Sequence, residues 1–165
     1  MGDAEHARIL AVCAYVLLAI SVVSGEMLAG RLAPARRRRA LFGAHRLASV
    51  SGLVVSTVHG LSQMDVASDG QAALGFAALA CASVPAAVWA ARRNLAARWR
   101  LIHHLAYLAF GLATIHVVAF HEPGMPPAEV ALYVAGVTAV VALAAWREVR
   151  SARPGAPHPP ALDRG

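Results

Sequence analysis

An all-α integral membrane protein, with about five transmembrane helices in one bundle, is the fold class that the sequence predicts. Three observations carry it. The 165-residue chain is 58% hydrophobic and only 15% charged, with a mean hydropathy of +0.56, far from the balance of a soluble domain of this size. Its charges cluster between apolar runs, each long enough to cross a hydrocarbon core of ~30 Å, which takes about 20 helical residues. All 15 basic residues are arginine, and they gather in alternate loops, as positive-inside topology requires.

Residues 1–8 are short and polar, with Asp3, Glu5 and His6, and lack the basic start of a secretory signal. The next segment is therefore expected to stay as a membrane span. It covers about 9–29 and carries Glu26, expected as an interfacial carboxylate beside Arg31. Arg31 and Arg36 to Arg39 fill the following loop. The second span, about 40–64, holds His45 and His59, and 65–70 is an acidic turn containing glycine. The third, about 71–91, has no histidine; Pro85 is expected to kink it, which neighbouring membrane helices tolerate.

A basic loop, 92–100, leads into the fourth span, about 99–120, with His103, His104 and His116. The stretch His121 to Pro127 is too proline-rich to continue a helix. His121, Glu122 and Met125 there could attract a metal ion, but a solvated loop is the expectation. The fifth span covers about 128–146. Residues 1–150 thus form one transmembrane unit, and 151–165, with four prolines, reads as a disordered cytoplasmic tail.

Orientation follows from the loops. Arginines come after span one, between spans three and four, and after span five. The other face has Arg8 alone, among Asp3, Glu5, Asp65, Asp69, Glu122 and Glu129. A multi-pass protein of the cell membrane is expected, N-terminus outside and C-terminus cytoplasmic. The net charge of +6 raises nucleic acid as a partner, but the arginines lie between spans and no aromatic-basic module is present. The lipid bilayer is the expected partner, and nucleic acid is not. Cys13 and Cys81 sit in apolar segments and read as buried thiols, with a disulfide between them left open. No Cys-x-x-Cys-His occurs, which excludes covalent c-type haem attachment by the usual signal.

The histidines carry the chemistry. An imidazole within a membrane span is costly without a partner and marks a candidate site. His45 and His59 are 14 residues apart, so on a helix their rings lie within ~40° of one face and about 21 Å apart along the axis. One metal ion cannot bridge that distance; two haems stacked across the membrane can use it. Spans two and four enter from the same side, so like depths pair: His45 with His103 at the inner level, His59 with His116 at the outer level. A lone intramembrane histidine is often a hydrogen-bonded packing residue. Four at matched depths on two parallel spans are better explained as axial ligands of two b-type haems.

One interval fits less well. His103 to His116 is 13 residues, which turns the second ring about 140° from the first, and His104 to His116 is about 120° off. Helix tilt, a distortion near Gly111 or rotated haem planes would each absorb this, and spacing does not choose between His103 and His104. Gly43, Gly52, Gly60 and Gly111 would let a porphyrin approach, though ordinary helix packing explains each equally well. Arg46 and Arg100, at the inner level, could bind haem propionates; topological bias accounts for arginine there too.

These residues resemble the ferric reductase-like transmembrane domain, shared by ferric reductases, NADPH oxidases and the haem-bearing membrane subunit of methionine sulfoxide reductase systems. The family pairs two histidines 14 apart, the first often followed by arginine, as in His45-Arg46 and His59. A second helix carries Trp-x-x-Leu-His-Arg-Leu-x-Tyr, with a further histidine 13 beyond the first. Trp99, Ile102, His103, His104, Leu105, Tyr107 and His116 follow that frame. His104 stands where the family has arginine, Ile102 where it has leucine, and one span precedes the first histidine helix where many relatives have two. The resemblance covers about 41–120 and implies His103 as the ligand.

The function expected from this is a membrane b-type cytochrome, an electron-transfer component of an oxidoreductase. It would carry electrons from a separate inner donor, flavoprotein or quinol, to an unidentified outer acceptor. No Gly-x-Gly-x-x-Gly follows a strand, so no nucleotide or flavin domain is expected here, and no catalytic residue is specified. A quinol-linked cytochrome subunit of a larger complex, with Glu26 near the quinone, is the first alternative. A non-catalytic haem-binding or assembly module is the second: it would store or deliver haem, or scaffold partner helices with its histidines in interhelical hydrogen bonds.

Overall fold

The computed structural model describes residues 3–30, 32–95, 97–120 and 125–152. All regular structure among them is helical: α1 Asp3–Ala29, α2 Ala35–Ser62, α3 Asp69–Ala87, a 3-10 turn Trp89–Ala91, α4 Arg92–Leu95, α5 Ala97–His103, α6 Leu105–Phe120 and α7 Pro127–Ser151. Five segments are long and apolar enough to cross a membrane: Glu5–Ala29, Ala35–Ser62, Asp69–Ala87, Arg98–Phe120 and Pro127–Arg150. The all-α membrane bundle with five spans is what the sequence predicts. Outward faces agree with a lipid setting. Leu47, Val50, Val54, Val58 and Leu61 form a stripe along α2 that is 47–70% exposed, an apolar surface that water would not tolerate but lipid does.

Helix ends differ from expectation for local reasons. α2 starts at Ala35, five residues early, because Pro34 fixes the N-cap at φ −54° and arginine is a good helix former, so the loop arginines wind into the first turns. α3 starts with a capping box: Ser68 Oγ accepts from the Gln71 amide at 3.4 Å, and Gln71 Oε1 accepts from the Ser68 amide at 2.8 Å. Pro85 lies in the last turn of α3, so it ends the helix instead of kinking a longer one. The fourth span is broken at His104. The amide of that residue donates to both Arg100 and Leu101 carbonyls at 3.1 Å, and Tyr107 donates to the His104 carbonyl at 3.0 Å.

Packing divides the bundle into two helix pairs. α1 packs along α2, and α3 along α6; α7 lies against α1. Gly52 brings α2 onto Leu17 of α1, and a Cβ there would stand 3.3 Å from the Leu17 Cβ. The core sits where α1, α6 and α7 meet: Tyr15, Val22, Phe110, Tyr133 and Val140 are buried together. Tyr15 meets Tyr133 edge-on at 4.6 Å between ring centres and Phe110 at 5.5 Å. The Tyr15 hydroxyl donates to the Tyr133 carbonyl at 3.2 Å. α2 makes no comparable packing with α5 or α6.

Several expectations are corrected. Cys13 is exposed, Cys81 is only half-buried, and both thiols are free, because they point away from the small core towards the outer surface of the bundle. Met125 packs against the Tyr15–Tyr133 cluster, which takes it out of any solvated loop; His121 and Glu122 lie outside the described residues. Arg31 and the tail 153–165 also lie outside them. At the end of the bundle that holds the α1 and α7 N-termini, Arg8 reaches Glu129 at 3.4 Å.

Candidate functional site

Between the two helix pairs lies one cavity of about 2010 Å³, lined by His45, His59, His103 and His116. Cavities for a single small ligand are usually ~300–1,000 Å³, so there is space for more than one large group. Each of the four rings is half-buried. α2 supplies His45 and His59; the interrupted span of α5 and α6 supplies His103 and His116.

At the arginine-rich end, the His45 and His103 ring centres are 6.1 Å apart with planes at 67°. Two imidazoles bound through Nε2 at about 2.0–2.1 Å to opposite sides of one metal would have centres roughly 6 Å apart. His45 Nδ1 donates to the Ser21 carbonyl at 2.9 Å, with Ser24 Oγ at 3.4 Å. Such an outer bond fixes the tautomer of a ligating histidine and frees Nε2. Gly25 of α1 provides the room: a Cβ there would stand 3.3 Å from His45 Cε1. Trp99 stacks on the other ring, 5.3 Å from His103 at 27°.

At the opposite end, His59 and His116 both line the cavity. The Ala7 and Gln71 backbones stand beside these rings without hydrogen-bond geometry to either Nδ1. A Cβ on Gly75 of α3 would lie 3.6 Å from His116 Cε1. Thus His45 and His103 come together, and His59 and His116 both line the same cavity. The glycines that touch the rings are Gly25 and Gly75. Gly43, Gly60 and Gly111 have open space before them, and Gly52 serves the α1–α2 contact. Nothing in the sequence separates Gly25 and Gly75 from other membrane-helix glycines.

Part of the 13-residue interval is taken up at His104, where the helix breaks. Tighter 3-10 winding turns the chain about 120° per residue instead of 100°, so the break moves His116 back towards the phase of His103. His104 also lines the cavity, but it is exposed and its ring packs on Tyr107 at 5.8 Å. Of the adjacent pair, His103 is the one that faces His45.

The donor set fits a haem-like group. Nδ1 of His59, His103 and His116 is buried with no hydrogen-bond partner. Among the described residues, no three His, Cys, Asp or Glu side chains come together as a metal site. Histidines in twos fall short of the four donors of a bare ion, whereas iron already held by a macrocycle asks for two. Arg46 and Arg100 both line the cavity at its arginine-rich end. The Arg46 guanidinium lies 4.8 Å from the Trp89 ring centre, and that of Arg92 is 3.8 Å from the same ring.

Beside this end is a charged cluster that the sequence did not disclose. Glu26 is 1% exposed. It accepts from the Tyr107 hydroxyl and from Arg147 Nη1, at 3.0 Å to Oε1 and 3.1 Å to Oε2. Its partner is an arginine 121 residues away in α7, so the interfacial reading beside Arg31 is replaced by a buried ion pair. No family model matches the chain, and no curated protein or solved structure is significantly similar to it; its site stands on its own geometry.

Proposed function

We propose that this protein is a membrane b-type cytochrome that carries electrons across the bilayer through two bis-histidine haems. His45 and His103 would hold the inner haem, and His59 and His116 the outer. One observation supports this above the others: two histidine helices that do not pack on each other aim four rings, in depth-matched pairs, into one cavity. Haem iron with two axial imidazoles is low-spin and supplies one-electron transfer with no open coordination position.

The chain's own residues provide the setting. Ser21 orients His45, Gly25 and Gly75 admit the rings, and Trp99 backs His103. Arg46 and Arg100 line the cavity and can meet propionates at the inner end. The arginine-rich face is taken as cytoplasmic, where a separate donor would deliver electrons; the acceptor lies at the other face.

One observation bears on each alternative. A quinone site near Glu26 needs a carboxylate that Tyr107 and Arg147 already occupy. A module bridged by histidine hydrogen bonds needs partners that three of the four Nδ1 atoms lack.

The test is a reduced-minus-oxidised spectrum with haem quantification on purified protein. Two b haems per chain are expected, falling to one in His45→Ala or His116→Ala. A colourless protein, or variants that keep both haems, would overturn the proposal.

A further inference from the structure

Glu26 has no part in the ligation proposed above, yet it is more enclosed than any other charged side chain among the described residues. A carboxylate in an apolar interior is costly unless its oxygens are fully engaged. Here both are, by Arg147, with Tyr107 adding a third bond.

The placement of this cluster gives it a use. Gly25, its neighbour in sequence, touches the His45 ring, and Ser21 accepts from His45 Nδ1. Tyr107 is four residues beyond His103, and its amide bonds the carbonyl of His104 at the helix break. The stretch Ser21 to Glu26 of α1 therefore grips His45 on one side. On the other it grips, through Glu26, the segment that carries His103. Because α2 does not pack on α5 or α6, those helices do not set the spacing of the two rings themselves. α1 sets it.

We propose that Glu26 is a positioning residue for the inner histidine pair: with Tyr107 and Arg147 it fixes the separation and mutual angle of the His45 and His103 rings. This rests on the haem reading above. It goes beyond that reading in assigning the inner geometry to a carboxylate that is not a ligand.

The experiment uses the full-length haem-loaded protein and its Tyr107→Phe and Glu26→Gln variants. Electron paramagnetic resonance of the oxidised form is the readout, because the largest g value of a bis-imidazole haem follows the angle between its ring planes. Tyr107→Phe removes a hydroxyl and no charge, and it leaves the Glu26–Arg147 pair in place. It therefore decides the matter even where the Glu26 variant fails to fold.

The expected result is a shifted largest g value in one of two low-spin signals, the one that His45→Ala abolishes, with the other unmoved. Unchanged signals in Tyr107→Phe would overturn the inference, as would equal shifts in both, which a general loosening of the bundle produces. A wild-type protein without haem overturns this inference together with the reading beneath it. That failure is recognisable because it precedes any variant.

Discussion

His45 on α2 donates from Nδ1 to the Ser21 carbonyl on α1, at 2.9 Å. With the proton committed there, the lone pair of the ring is on Nε2. The same stretch of α1 brings Gly25 against the ring edge. α1 supplies none of the four paired histidines, but it decides how one of them points.

Glycine size at two positions should therefore separate the two sites. Gly25→Val is expected to push His45 aside and lose one haem equivalent, and Gly75→Val to do the same through His116. The alanine variants should keep both, since 3.3 and 3.6 Å are separations that small shifts absorb. Haem content per chain, with redox titration to identify the survivor, checks this. Loss of the same haem in both variants would contradict it.

His103 and His104 should behave differently although they are adjacent. His103→Ala is expected to lose the inner haem, and His104→Ala to retain both, because His104 is exposed and its ring packs on Tyr107. Absorption spectra of the two purified variants decide it.

Removing the two partners of the buried pair should not cost the same. Arg147→Met strands a carboxylate that is 1% exposed, whereas Glu26→Gln leaves an arginine 35% exposed that can turn to water. The first is expected to destabilise by roughly 3–5 kcal/mol, and the second by about 1–3 kcal/mol. Thermal unfolding in detergent should rank them in that order.

The α1–α7 contact offers a test of bundle stability at two tyrosines that line the cavity without belonging to the histidine pairs. Tyr15→Phe gives up the bond to the Tyr133 carbonyl and should cost about 1 kcal/mol. Gly136→Val meets Tyr15, whose ring lies 3.1 Å from a Cβ there, and should cost about 1–3 kcal/mol through overpacking. Both should keep their haem content where they fold.

The spans were legible because membrane thickness sets a length that apolar runs must match, and α1, α3 and α7 follow it closely. The depth pairing of His45 with His103 was legible because loop charge fixes direction. Other parts lay beyond any local pattern. The Glu26–Arg147 pair joins residues 121 positions apart, and glycine is too common in membrane helices for Gly25 and Gly75 to stand out. The break at His104 did leave a trace, in the awkward 13-residue interval, but spacing could not say where the chain would yield.

The division into two helix pairs bears on how the protein is made. α1 with α2, and α3 with the α5–α6 span, are each consecutive in the chain, so each can form a hairpin as it enters the membrane. The cavity lies between these hairpins and does not exist until the second has been inserted. Whatever fills it must be captured late, as the hairpins meet, and a chain stopped after α3 would own two of the four histidines and no pocket.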